Sequence, residues 1–198
     1  MQRGMTAGWG LASAGLLLGG LSCWAQGPLP GDVPVTRAVQ ALLGVNPLWA
    51  NIVTKTATAP WMWLMTALVA LVLGWLRGGR MALTVVLSFA VAVALDGLLR
   101  HFIHVPRPLA DLIAVAKPSP SSGLPSTFGL VGGATMGLVA LIDRRGAGRF
   151  VAVLGWAYLL AGFAARVTMG GHWASQLLAS YAVALGFAML LRGIVARA

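Results

Sequence analysis

The chain has no glutamate, four aspartates and a single cysteine, and 9% of its 198 residues are charged. Each shortage excludes something. Cys23 alone cannot form an intramolecular disulfide, and there is no thiol cluster to hold a metal. Asp32, Asp96, Asp111 and Asp143 supply no plausible carboxylate pair for acid–base work. They are also too few to serve as the ligand set of a two-metal phosphoryl-transfer site, so neither a metal nor any other cofactor is expected. A soluble domain carries about 25% charged residues, and this chain is far below that. Alternating short strands with turn clusters, the pattern of an outer-membrane barrel, do not occur.

Apolar length is what the chain has. It is 59% hydrophobic with a mean hydropathy of +0.85. Runs of about 20 apolar residues, enough to cross a bilayer as helix, recur along it. Helices satisfy their own backbone within lipid, so the expected fold is an all-α polytopic bundle of about six transmembrane helices. The expected spans are residues 5–25, 60–76, 81–104, 126–142, 150–167 and 172–191. The first is either a retained helix or a cleaved signal peptide, because Cys23-Trp24-Ala25 loosely resembles a cleavage site. The rest, 26–198, reads as one membrane domain. Within 26–58, the stretch Val35–Val53 is mildly apolar and suits the membrane surface.

The formal charge of +10 comes from arginines in short segments beside the spans. Arg77 and Arg80, then Arg144, Arg145 and Arg149, then Arg192 and Arg197, follow the positive-inside pattern, and nucleic acid is not the expected partner. Those segments mark the cytoplasmic side. The segments 26–58, 105–125 and 166–172 then face outward, and the unusual polar residues gather there. Gly129, Gly133 and Gly137 recur every four residues, a spacing that lets helices approach closely.

Arginines near the outer end of a span are costly and tend to be functional. Arg100, Arg107 and Arg166 are three of them, and His172 follows Arg166 by six residues. Guanidinium forks match phosphate oxygens. Asp96 lies one helical turn before Arg100 and is its expected ion-pair partner.

These residues resemble the three ordered motifs of the type 2 phosphatidic acid phosphatase superfamily, membrane and soluble enzymes related to vanadium haloperoxidases. The family's Lys-x6-Arg-Pro is met by Arg100 to Arg107-Pro108, with arginine in place of lysine. Its Pro-Ser-Gly-His is met by Pro125-Ser126-Thr127-Phe128, and its Ser-Arg-x5-His-x3-Asp by Ala165-Arg166, His172 and Gln176. The match covers roughly residues 60–192. It implies a membrane phosphatase acting on lipid or isoprenoid phosphates through a phosphohistidine, at the outer face of a bacterial cytoplasmic membrane. His172 would be the nucleophile. Arg100, Arg107 and Arg166 would bind the phosphoryl oxygens, with Ser126 and Thr127 beside them in the substrate site.

Two departures matter. Phe128 stands where the family has the histidine that protonates the leaving oxygen. Gln176 stands where it has an aspartate that orients the nucleophile, and an amide oxygen one turn beyond His172 can accept a ring N–H without supplying charge. His104 is spaced between Arg100 and Arg107 as on one helical face, and either substitutes as the acid or is an interfacial histidine. Two functions remain open: a phosphatase favouring diphosphates such as undecaprenyl diphosphate, or a family member that binds a phosphorylated head group or acts as a subunit or carrier. The sequence carries no indication of oligomeric state.

Overall fold

The computed structural model describes residues 2–142 and 146–197; Asp143, Arg144 and Arg145 of the expected cytoplasmic segment lie outside the described residues. The described residues form eight helices and no strand. They are α1 (Gln2–Ala25), α2 (Asp32–Leu43), α3 (Leu48–Lys55), α4 (Trp61–Arg77), α5 (Gly79–Phe102), α6 (Thr127–Ala140), α7 (Ala147–Thr168) and α8 (Ala174–Val195). All six expected spans are helical. Four of them, α1, α5, α7 and α8, are long and apolar enough to cross a membrane, while α4 has 17 residues and α6 has 14.

The short α6 is the centre of the bundle. Every residue from Phe128 to Ala140 is buried. At 1.5 Å per residue it is ~21 Å long, less than the ~30 Å of a hydrocarbon core, so longer helices must shield it from lipid. Its glycines make this possible. A Cβ at Gly129 would lie 2.6 Å from Ser180 Cβ, and one at Gly137 2.6 Å from Leu185 Cδ1, so the expected glycine stripe is the α6–α8 seam. On the other side of α6, Gly155 of α7 lies against the backbone of Val139 and Ala140. The outermost of these layers is α1, where Gly8, Ala12 and Gly15 meet Ala179, Val183 and Gly186 of α8.

Charge and aromatic residues order the two ends. Arg80 and Arg100 sit on the same helix, α5, ~30 Å apart by helical rise. Arg77, Arg80 and Arg192 surround one cavity at the first end, which places the expected cytoplasmic arginines of two of the three segments together. Exposed indoles lie toward both ends, Trp9 and Trp75 at one, Trp24, Trp61 and Trp63 at the other. Such aromatic belts mark membrane–water boundaries.

The stretch expected along the membrane surface is two helices, α2 and α3. The chain breaks at Gly44, which takes φ 79°, and Pro47 then precedes α3. α3 packs on α7 through Ala50, Ala165 and Met169. α2 buries a polar stripe of Asp32, Thr36 and Gln40 against the segments that carry the site.

Candidate phosphoryl-binding site

At the end away from Arg80, a cavity of about 150 Å³ is lined by Arg100, Arg107, Arg166, His172, Thr127 and Phe128, with Thr54, Ala57 and Thr58 closing it. Arg100 comes from the last turn of α5, Arg166 from the last turn of α7, and Thr127 from the first turn of α6. Arg107 and His172 come from the connections after α5 and after α7. The three expected arginines and the expected nucleophile therefore converge.

The arginines are not equivalent. Arg100 Nε pairs with Asp96 Oδ2 at 3.0 Å, as the sequence leads one to expect, and its Nη2 donates to Pro125 O and Thr127 Oγ1. Arg107 Nη1 donates to Gly171 O at 2.7 Å, and its Nε and Nη2 hold Ser121. Burial, and then the Arg100 charge, lowers the Arg107 pKa from its ordinary value. Arg166 differs from both: among the described residues its Nε is buried without a hydrogen-bond partner. A buried guanidinium donor with nothing to bind is expensive, and an anion in the cavity would supply what it lacks.

His172 is 1% exposed. Its Nδ1 meets Gly123 O at 2.7 Å. A carbonyl only accepts, so Nδ1 carries the proton and Nε2 keeps its lone pair. Burial first, then the Arg166 and Arg107 charges, hold its pKa well below the ordinary histidine value; the Gly123 bond opposes this and Arg100 adds to it. The ring is neutral at pH 7.

Several expected roles are placed differently. Gln176 does not orient the imidazole. Its Oε1 accepts from Trp173 N at 3.2 Å and its Nε2 donates to Pro106 O at 3.0 Å, because the Gly123 carbonyl already occupies the ring N–H. Ser126 is the N-cap of α6, with Oγ accepting from Gly129 N and its own N–H donating to Ser180 Oγ, so it is buried as a cap instead of facing the cavity. Thr127 does line the cavity, but its hydroxyl proton is directed at Asp96. His104 is off the helix, because α5 ends at Phe102 and Ile103 is extended. Pro106 disfavours helical geometry just before it. His104 therefore lines a separate cavity of about 400 Å³ with Ser119, Ser121 and Ser122, which shares Arg107 with the first.

Phe128 has a packing explanation. Its ring is 3% exposed, stacks on Tyr158 at 5.6 Å between centroids, and covers Gly162, where a Cβ would overlap it. It forms the apolar floor of the cavity and has no proton to give.

Sequence reasoning missed Gly123, Thr54 and Thr58. It also missed Asp32 and Gln40, which bond to the flanks of the His172 turn. A signal existed for the last two: Asp32, Thr36 and Gln40 recur every four residues, a polar stripe on a helix otherwise apolar but for Arg37. Among the described residues, no three of His, Cys, Asp and Glu gather in a way that could hold a metal.

No family model matches the chain. No curated protein matches it either. Among solved structures it is similar to the crystal structure of the first transmembrane PAP2 type phosphatidylglycerolphosphate phosphatase from Bacillus subtilis, with a TM-score of 0.72 and 16% identity. The likeness spans 96% of each chain. The protein thus has the fold of a PAP2-type membrane phosphatase.

Proposed function

We propose that the protein is an integral-membrane phosphatase that hydrolyses lipid or isoprenoid diphosphates through a phosphohistidine at His172. The observation that carries this reading is the unpartnered Nε of Arg166, buried in a cavity shared with Arg100, Arg107 and a neutral histidine. Three guanidinium groups against one carboxylate, Asp96, favour an anion, and fixed cations best stabilise charge that grows on a transferring phosphoryl group.

The chemistry follows from the ring's hydrogen bond. His172 Nε2 attacks the terminal phosphorus with its lone pair, and the bond from phosphorus to the leaving oxygen breaks. The arginines bear the equatorial oxygens. Water then attacks the phosphohistidine, the N–P bond breaks, and inorganic phosphate leaves with the neutral ring restored.

The leaving group decides the substrate class. A monoester expels an alkoxide, which needs a proton in the transition state. A diphosphate expels a phosphate monoester whose second pKa is about 6, by analogy with phosphorylated side chains, and it leaves unprotonated. Phe128 gives no proton and His104 lines the separate cavity, not this one. Diphosphates such as undecaprenyl diphosphate fit this site better than phosphatidic acid.

The site belongs, on this reading, to the outer face of a bacterial cytoplasmic membrane, with the arginines at the opposite end inside. α1 is, on the same reading, a retained helix, supported by its close packing on α8: a Cβ at Gly15 would lie 2.7 Å from Val183 N. Gln176 and Phe128 also favour a second reading, a non-catalytic binder of phosphorylated head groups. Phosphate release from a panel of lipid mono- and diphosphates separates the two, with His172→Ala as control. Release that depends on His172 supports the enzyme; vanadate binding without release from any substrate supports the binder.

A further inference from the structure

The turn Met169–Trp173 carries His172, and both of its flanks are tied to one helix, α2. At the entry, Gln40 Nε2 donates to Thr168 O at 3.0 Å and to Ala114 O at 2.6 Å. At the exit, Asp32 Oδ1 accepts from Ser175 N at 2.9 Å and Oδ2 from Ser175 Oγ at 2.6 Å. These two residues lie on one face of α2, ~12 Å apart by helical rise, with Thr36 between them. Arg37 forks onto Leu112 O and fastens the same helix to the neighbouring loop.

Asp32 is 3% exposed, and among the described residues no cation lies within ion-pair distance of it. A buried carboxylate without a cation is costly. Here it is held by the N–H groups of Leu29 and Ser175, the Ser175 hydroxyl, and the positive end of the 22-residue α8. A neutral side chain would be enough to cap a helix. The charge strengthens the grip on the segment that follows His172.

The histidine needs such a grip. Its Nδ1 rests on the Gly123 carbonyl, and Gln176 is occupied with Trp173 and Pro106. Within the turn Arg107 Nη1 holds Gly171 O, so the direction of Nε2 depends on that bond and on where the two flanks are held.

We propose that α2 is a strap that fixes the His172 turn, with Asp32 and Gln40 as positioning residues at its two ends. This rests on His172 being the nucleophile. A displacement of about 1 Å at a reacting atom can cost roughly a hundredfold in rate, so the strap should act on turnover and leave anion binding to the arginines.

Two readouts test it. The chain has three histidines, so 15N-histidine spectra in micelles can follow each ring. Wild type should show one ring locked as the Nδ1–H tautomer at pH 7. In Asp32→Ala and in Gln40→Ala that ring should show mixed tautomers, while kcat on a diphosphate falls about tenfold or more and KM stays within about threefold. Asp32→Asn keeps an acceptor for Ser175 N and should fall between these and wild type. An unchanged ring signature with kcat within about twofold of wild type would overturn the strap. If Asp32→Ala does not fold, Gln40→Ala and Asp32→Asn decide by the same two criteria. Absence of turnover in wild type would defeat the phosphatase reading, and the ring signature would still decide the strap.

Discussion

Replacing Arg166 by Met should make the ligand-free protein more stable and weaken its pocket for an oxyanion. The buried, unpartnered Nε lies among Arg100, Arg107 and His172, so the empty site bears the cost of an unsatisfied charged donor. An unmet buried donor costs about 1–3 kcal/mol. Exchanging buried charge for an apolar side chain of similar volume is neutral or stabilising by about 1–4 kcal/mol. A gain of about 1 kcal/mol corresponds to roughly 2–4 °C for a chain of this size. The ligand side moves the other way. Each charge-assisted hydrogen bond lost contributes about 1.5–3 kcal/mol, so vanadate should bind about 10- to 100-fold more weakly.

Thermal unfolding in detergent, with and without vanadate, reads both effects at once. In wild type, vanadate at 100 times its Kd should stabilise by about 2.7 kcal/mol. Arg166→Met should start higher and gain little; Arg166→Gln should show the same loss of response with a smaller rise. A variant that melts below wild type yet responds fully to vanadate would refute the reasoning, because Arg166 would then be a structural cation with an unseen partner.

Phe128→His should raise monoester turnover more than diphosphate turnover, at a stability cost of about 1–2 kcal/mol for the lost apolar burial; equal gains on both substrates would show that the missing acid lies elsewhere. Gly162→Ala should destabilise by about 1–3 kcal/mol, since the new methyl overlaps the Phe128 ring, and Phe128→Leu in that background should recover part of it in a double-mutant cycle. Stability should fall as pH drops below about 6.5, because the unfolded chain protonates His172 there while the native ring, with its lowered pKa, does not; the slope is at most ~1.4 kcal/mol per pH unit, and His172→Gln should flatten it. Single cysteines at Arg77 and at Ser119, with Cys23 replaced, should label from opposite sides of the membrane.

Much of the fold was legible because membrane helices are written in long apolar runs and arginine placement. The glycine stripe on α6 was read correctly as a packing seam, since spacing of four leaves little choice of face. The length of α4 was legible, the expected 60–76 lying within one residue of each end of the helix, but that of α6 was not: apolar residues continue past the point where α6 stops, and only its burial by longer helices allows it to be short. In the site, the arginines could be found by their cost at the end of a span, and His172 by its spacing from Arg166 and the motif it resembles. The roles of the small polar residues could not. Ser126 and Gln176 satisfy backbone groups at helix starts, and that competition between capping and substrate contact is settled by three-dimensional neighbours such as Ser180 and Pro106. For His104 the spacing leaves both an acid and an interfacial histidine open, and its place off the helix follows from α5 ending at Phe102, ahead of Pro106. Asp32 was passed over because its partner, Ser175, lies 143 residues away in sequence.

The most direct test of the central claim is to trap the phosphoryl group on the enzyme. A lipid diphosphate labelled in its terminal phosphate is mixed with excess protein for a single turnover, quenched in alkali, and digested for mass spectrometry. The account predicts label on the peptide containing His172, labile to acid, absent in His172→Ala, and decaying as free phosphate appears. Phosphate released at the same rate by His172→Ala, or label carried on any other residue, would contradict it.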